Sequence, residues 1–159
     1  MLEIDEPTTA PTMDELWRAH AAELVGFATV LVGPADAHDI VVEAFLRSYG
    51  AVTTGRVTRP RAYLFRAVAN HANDLRRTRS RRWARDLSAV GPAATAGPDT
   101  FLDVRRAVAG LSVQQRAVVY FAYWEDMPER EIATVLGVSP GTVRRHLVRA
   151  RLNLRKALR

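Results

Sequence analysis

The chain of 159 residues contains no cysteine, which excludes a disulfide scaffold, a thiolate zinc site and a thiol nucleophile. No apolar run approaches the roughly 18 residues that a membrane-spanning helix needs. The opening segment MLEIDEPTTAP is acidic, where a secretory leader would be basic, so a cytoplasmic protein is expected. Alternating strand-like patterns are nowhere convincing, and there is no internal repeat or low-complexity tract. Lysine is nearly missing: Lys156 stands alone among 23 basic residues, the rest being arginine. What remains is an apolar content of 48%, enough for one medium domain or two small ones with real cores.

The net charge of +6 is unevenly spread. Residues 1–45 hold nine acids and one base, Arg18; residues 56–85 hold ten arginines and one acid, Asp74; residues 127–159 hold seven arginines, Lys156 and two glutamates. Two basic blocks apart in sequence predict two contacts on nucleic acid, with an acidic end turned elsewhere.

Helix signals follow one another along the chain. Residues 1–11 read as a tail. Thr12 and Glu15 have capping-box spacing, and Leu16, Trp17, His20, Leu24, Phe27, Ala28 and Leu31 share one face of the helix that follows. Gly33-Pro34 breaks it. A second helix from about Asp36 to Tyr49 buries Ile40, Val41, Ala44 and Phe45, with Gly50 as its stop and AVTTGRVTR as a loop. Pro60 opens a third helix with Leu64, Ala67, Val68, Ala72 and Leu75 inward, running out into RRTRSRRWAR. Residues 86–99, DLSAVGPAATAGPD, read as a linker with little apolar area to lock an interface. Thr100 with Asp103 and Ser112 with Gln115 mark two further helix starts, the second burying Ala117, Val118, Phe121 and Ala122. The reading is two separately folded all-α domains, 12–85 and 100–159, joined by a flexible linker.

The stretch EREIATVLGVSPGTVRRHL has the spacing of a helix-turn-helix. Ala133 is small where two helices approach closely, Gly137 suits a left-handed turn, and Ser139 with Pro140 suits an N-cap and first helical position. Ile132, Leu136, Val138, Val143 and Leu147 are expected to form the wedge between the helices. Along the last helix Val143, Leu147, Ala150, Leu154 and Leu158 fall within a sector of about 80°. Gly141, Thr142, Arg144, Arg145 and Arg149 lie outward, at the end of a recognition helix that reaches base edges in the major groove.

Both halves together resemble the extracytoplasmic-function (ECF) sigma factors, the small promoter-recognition subunits of bacterial RNA polymerase. The N-terminal match is LWRAHAAELVGFATVLVGPADAHDIVVEAFLRSYG followed by PRAYLFRAVANHANDLRRTRSRR, similar to sigma region 2. The C-terminal match is LSVQQRAVVYFAYWEDMPEREIATVLGVSPGTVRRHLVRARLNLRKAL, similar to region 4. His38 and Val42 depart from the acid and glutamine frequent in the family, and Met127-Pro128 replaces a usual Leu-Ser or Leu-Thr.

The resemblance implies a non-catalytic specificity subunit that directs transcription of a stress- or signal-specific gene set. It implies core polymerase binding by the helix carrying Asp39, Glu43, Leu46 and Arg47. It implies reading of the melted minus-10 element by Asn70 and Asp74, with a pocket from Val52 to Arg59, and backbone contact by Arg76, Arg77, Arg79, Arg81 and Arg82. Thr142, Arg144, Arg145 and Arg149 would read the minus-35 duplex, and an anti-sigma factor would hold the chain inactive. No cofactor or metal is implied. A dimeric repressor is the nearest rival and predicts tight operator binding without polymerase. An enzyme built on His38, Asp39 and Glu43, with His20, His71 and His146 as further ligands, is the rival of another class. The histidines are scattered over two domains, and no nucleophile–base motif accompanies them.

Overall fold

The computed structural model describes residues 10–86 and 100–159, with side chains over 10–79 and 103–159. The elements are α1 (Met13–Val32), α2 (Pro34–Thr53), α3 (Pro60–Asp86), α4 (Thr100–Ala109), α5 (Val113–Val119), a π-turn (Tyr120–Trp124), α6 (Glu129–Leu136) and α7 (Pro140–Ala157). No strand occurs among the described residues, and none of their helices is long and apolar enough to cross a membrane. The tail over 1–9 and most of the linker, 87–99, lie outside the described residues.

Local chemistry explains most boundaries. Thr12 and Glu15 form a reciprocal capping box at α1, and Ser112 and Gln115 form another at α5. Ser139 caps α7 by accepting from the Thr142 amide, with Pro140 at the first helical position. Helix α2 runs three residues past Gly50. The hydroxyls of Thr53 and Thr54 donate to the carbonyls of Tyr49 and Gly50 at 3.0 and 2.8 Å, and Val52 is buried in the core. Burial of Val52 and these hydroxyl bonds extend the helix into residues expected to be loop, and the turn comes at Gly55, with φ of +71°.

Helices α1, α2 and α3 pack as one bundle around Leu24, Leu31, Val41, Leu64 and Val68. Helices α5, α6 and α7 pack around Val118, Ile132 and Val143. The expectation that these two bundles keep separate cores is not met. Phe27 of α1 and Phe65 of α3 meet Tyr120 and Phe121 of the π-turn, with ring centroids 5.0–5.3 Å apart across the boundary. Phe27, Phe65 and Phe121 have no exposed surface. Such tilted and edge-on aromatic pairs add attraction beyond their burial.

Three arginines fasten the same boundary. Arg116 of α5, only 5% exposed, donates to the carbonyls of Leu31 and Val30 at the C-terminal end of α1 and to Leu111 in its own half. Arg66 of α3 donates to the carbonyls of Thr134 and Val135 near the end of α6. Each bundle thus sends a guanidinium to the orphan carbonyls and negative dipole end of a helix in the other. Arg61 of α3 bridges Glu23 of α1 and Glu125 beyond the π-turn. Burial works to raise the Glu23 carboxyl, but bonds from Arg61 and His20 outweigh it and hold the group below its ordinary range.

The π-turn sets which aromatics take part. Its widened ring is closed by the Glu125 amide on the Tyr120 carbonyl, so Tyr120 and Phe121 both face inward while Tyr123 and Trp124 face out. Burial, followed by the nearby Glu125 charge, pushes the Tyr120 hydroxyl up to about 12.

Candidate nucleic-acid interface

Helices α6 and α7 enclose a turn whose geometry follows from its residues. Gly137 has φ of +68° and ψ of +36°, the left-handed conformation that side-chain-bearing residues rarely adopt. A Cβ there would also lie 2.8 Å from Cζ of Arg66. Ala133, Ile132, Val143 and Leu147 are buried as expected. Val138 is not: it is 38% exposed, because the turn carries it to the rim of a small crevice instead of into the wedge. The apolar seam of α7 also fades early. Leu154 is half-buried and Leu158 is 49% exposed, since the helix outruns the elements packed against it.

The outward side of α7 is strongly cationic. Arg145 and Arg149 are exposed and have no acidic partner among the described residues. Arg144 is exposed, but its guanidinium contacts Glu129 at the start of α6 at 3.0–3.1 Å, which holds its fork in place. Thr142 is half-buried, with its hydroxyl 2.9 Å from the Ser139 hydroxyl in the N-cap. On the same flank as Arg144, Arg151 donates to the Tyr123 hydroxyl at 2.7 Å and lies over that ring. His146 faces the other bundle. Burial, then the charges of Arg145 and Arg149, lower its pKa, and its buried Nδ1 has no hydrogen-bond partner.

In the N-terminal bundle Asn70 and Asp74 are exposed one turn apart on α3. Asn70 rims a crevice of about 70 Å³ that it shares with Asn73, Gln114, Val138 and His146, so the two bundles meet beside this face. Arg76 and Arg77 are exposed. Arg79 is clasped by Asp36, with paired contacts of 2.5 and 2.8 Å, and this bidentate bond raises its pKa. Side chains of Arg81 and Arg82 lie outside the described residues. The segment from Val52 to Arg59 begins in helix and continues as a turn, with Val52 buried and Arg56 and Arg59 exposed.

Asp39, Glu43, Leu46 and Arg47 all lie exposed on α2. Glu43 accepts from Arg47 at 2.7 Å and contacts His71 Nε2 at 2.9 Å. The hydrogen bond from His71 chiefly lowers the Glu43 pKa. Beside this row runs an open apolar groove lined by Met13, Trp17, Val42, Phe45 and Leu46, about 380 Å³ in volume. His38 stands edge-on to Trp17 at 6.2 Å. Among the described residues no three His, Asp or Glu side chains cluster as a metal site.

Sequence reasoning missed Phe65, Arg66, Asn73 and Arg116. Only Asn73 left a local trace, lying three residues from Asn70 on the same helix.

A helix-turn-helix with free arginines, packed against a second helical bundle, defines a DNA-binding protein. The chain matches the family described as Sigma-70 region 2 over residues 16–82 and that described as Sigma-70, region 4 over residues 101–154. It is 34% identical over 148 residues to the ECF RNA polymerase sigma factor SigL of Mycobacterium tuberculosis, covering 87% of this chain and 84% of that one. It is 35% identical over 138 residues to the RNA polymerase sigma-E factor of Streptomyces avermitilis, covering 79% and 72% respectively. Its fold is similar to that of the sigma factor RpoE in complex with the anti-sigma factor NepR from Bartonella quintana, with a TM-score of 0.68, 19% identity, and coverage of 91% of this chain and 95% of that chain. It is also similar to CnrH in complex with the cytosolic domain of CnrY, with a TM-score of 0.60, 25% identity, and coverage of 92% and 86%. The chain belongs to the ECF sigma factors and directs transcription initiation by RNA polymerase.

Proposed function

We propose a division of labour within this sigma factor. Residues 12–85 form the part that binds core polymerase and reads the melted minus-10 element, and residues 100–159 form the part that reads the minus-35 duplex. The row Asp39, Glu43, Leu46 and Arg47 docks on the polymerase, the neighbouring apolar groove adding area to a contact that charge alone would leave weak. Asn70 and Asp74 hydrogen-bond unstacked bases of the minus-10 strand. Arg76, Arg77 and Arg79 hold its backbone. Arg144, Arg145 and Arg149 enter the major groove, with Thr142 at the helix start.

The observation that carries this reading is the pairing of two unlike surfaces on one chain. Arg145 and Arg149 stand free on the second helix of a helix-turn-helix, while an acidic row beside an apolar groove lies on α2. The chain performs no chemistry of its own, acts in the cytoplasm on a stress- or signal-specific gene set, and is held inactive by an anti-sigma factor. Of two similar solved structures, one is of a sigma factor in complex with an anti-sigma factor and the other is of CnrH in complex with the cytosolic domain of CnrY.

Core polymerase plus this protein, transcribing a promoter library with start sites sequenced, tests the assignment. Discrete start sites that shift with substitutions at Arg145 and Asn70 support it. Tight operator binding by the free protein, without core-dependent initiation, would replace it with the repressor reading.

A further inference from the structure

The outward face of α7 is not wholly polar. Val148 is 48% exposed there and Leu152 49% exposed, while the buried seam of the same helix, Val143, Leu147 and Ala150, lies on the opposite side. Advancing about 100° per residue, Val148 is turned some 40° from Arg144 and 60° from Arg145, and lies between them. It stands one turn further along the axis, about 5 Å. Its neighbours to either side, Arg149 and Arg151, are exposed arginines. It belongs neither to the buried core nor to the half-buried side chains packed against that core. A β-branched residue is a weak helix former, and a solvated basic helix gains nothing from one at this position.

We propose that Val148 is a specificity-determining residue of the minus-35 contact and that it reads the 5-methyl group of a thymine. This rests on the reading of α7 as the minus-35 recognition helix. In the major groove thymine alone presents a methyl group, and small apolar side chains are its recognised partners. The arginines on both sides bring the helix to the polyanion and take the guanine edges or phosphates. Between them the apolar gap matches an apolar gap in the groove floor. The stiffness of valine at χ1 holds its methyls in one place, so little freedom is lost on contact. A step of about 5 Å along α7 corresponds to between one and two base-pair rises of about 3.4 Å. The thymine should therefore lie one or two base pairs from the position read by Arg144 or Arg145. Leu152, a further turn along, lies beyond the N-terminal part of a recognition helix that reaches base edges.

The test uses the full chain bound to core polymerase on a promoter carrying its selected minus-35 element. Each thymine of that element is replaced singly by deoxyuridine, which removes only the methyl. One replacement should weaken holoenzyme binding about 4-fold, the equivalent of one buried methyl group. Val148→Ala should abolish that penalty, while Arg149→Ala should keep the ratio. Because Val148 is exposed and alanine is the better helix former, the variant should fold, and circular dichroism would verify this. The proposal is overturned if the selected element has no thymine within two base pairs of the arginine-read position. It is equally overturned if no uridine carries a penalty, or if the penalty survives in Val148→Ala. Loss of core binding by Val148→Ala without any uridine effect would assign the residue to a protein partner and overturn it too. Failure of the underlying reading looks different: Arg145→Ala would then leave the minus-35 sequence preference unchanged.

Discussion

Replacing Arg116 should loosen the whole molecule. This guanidinium is nearly sealed from solvent, and every bond it makes ends on a backbone carbonyl: Leu111 at 3.0 and 3.1 Å, Leu31 and Val30 across the boundary, and Ala109 at 3.4 Å. No carboxylate pairs with it among the described residues. The compensation for burying its charge comes from the C-terminal ends of α1 and α4. Hydrogen bonds to charged groups contribute about 1.5–3 kcal/mol each. Arg116→Ala loses two well-made sets of them, recovers the cost of desolvating the cation, and leaves the Leu31 and Leu111 carbonyls short of donors. A net loss of about 2–4 kcal/mol follows. Arg116→Lys should recover only part of it, because an ammonium lacks the planar fork that spans carbonyls from two helices.

Urea denaturation followed by helical circular dichroism and by tryptophan fluorescence gives the readout. The native chain should unfold in one transition seen alike by both probes, because the two bundles share a core. In Arg116→Ala the midpoint should fall, and the two probes should begin to separate as the boundary weakens before either bundle. A change under about 0.5 kcal/mol with two independent transitions already in the native chain would refute the reasoning.

Gly137→Ala should cost about 1–3 kcal/mol through positive-φ strain and displacement of Arg66, read as a lowered thermal midpoint. Arg144→Ala or Arg145→Ala should lose about 1–3 kcal/mol of minus-35 discrimination if either forms a bidentate base contact, measured by binding to single-base variants. Arg76→Ala should weaken all promoters alike and reduce the salt slope by about one unit; Arg79→Ala should do so less, since Asp36 already pairs with that charge. The folded-state pKa of His146 is lowered, so the unfolded chain binds the proton more readily. Stability should therefore be fully present above the ordinary histidine value of about 6.5 and decline as pH falls through it. His146→Gln should flatten a denaturation series between pH 7.5 and 5.5, and an unchanged slope would exclude this histidine as its source.

Much of this was readable from short-range pattern. The capping residues Thr12, Ser112 and Ser139, the left-handed Gly137 and the inward stripes of α1 and α3 are decided within one or two turns of chain, where periodicity and capping chemistry act. What escaped is decided at longer range. Phe65 lies about 100° around α3 from Leu64 and reads as a flank until the π-turn is laid against it. Arg66 and Arg116 look like ordinary surface arginines, because their acceptors across the boundary are carbonyls 68 to 86 residues away. The run VVYFAYW has too many apolar residues to reveal a helical phase, which hid the π-turn. The arginines of α7 were found because exposed charge at helical spacing is itself a local pattern, whereas the outer row on α2 came from the resemblance.

The aromatic seam makes reach and repose mutually exclusive. On the proposed division of labour, two promoter elements lie far apart along a DNA axis, and a chain that grips both would have to draw its bundles apart. Doing so uncovers Phe27, Phe65 and Phe121 together, strands Arg116 in a half-vacated socket, and strips the Thr134 and Val135 carbonyls of Arg66. Burying a phenylalanine is worth about 1.5–3 kcal/mol, so an unaided chain would stretch out only as a rare, sticky minority. Whatever surface stretches it must offer apolar cover and hydrogen-bond acceptors in place of those given up. On that proposal the spread form would be a property of the assembly, while the folded chain alone keeps its two bundles side by side.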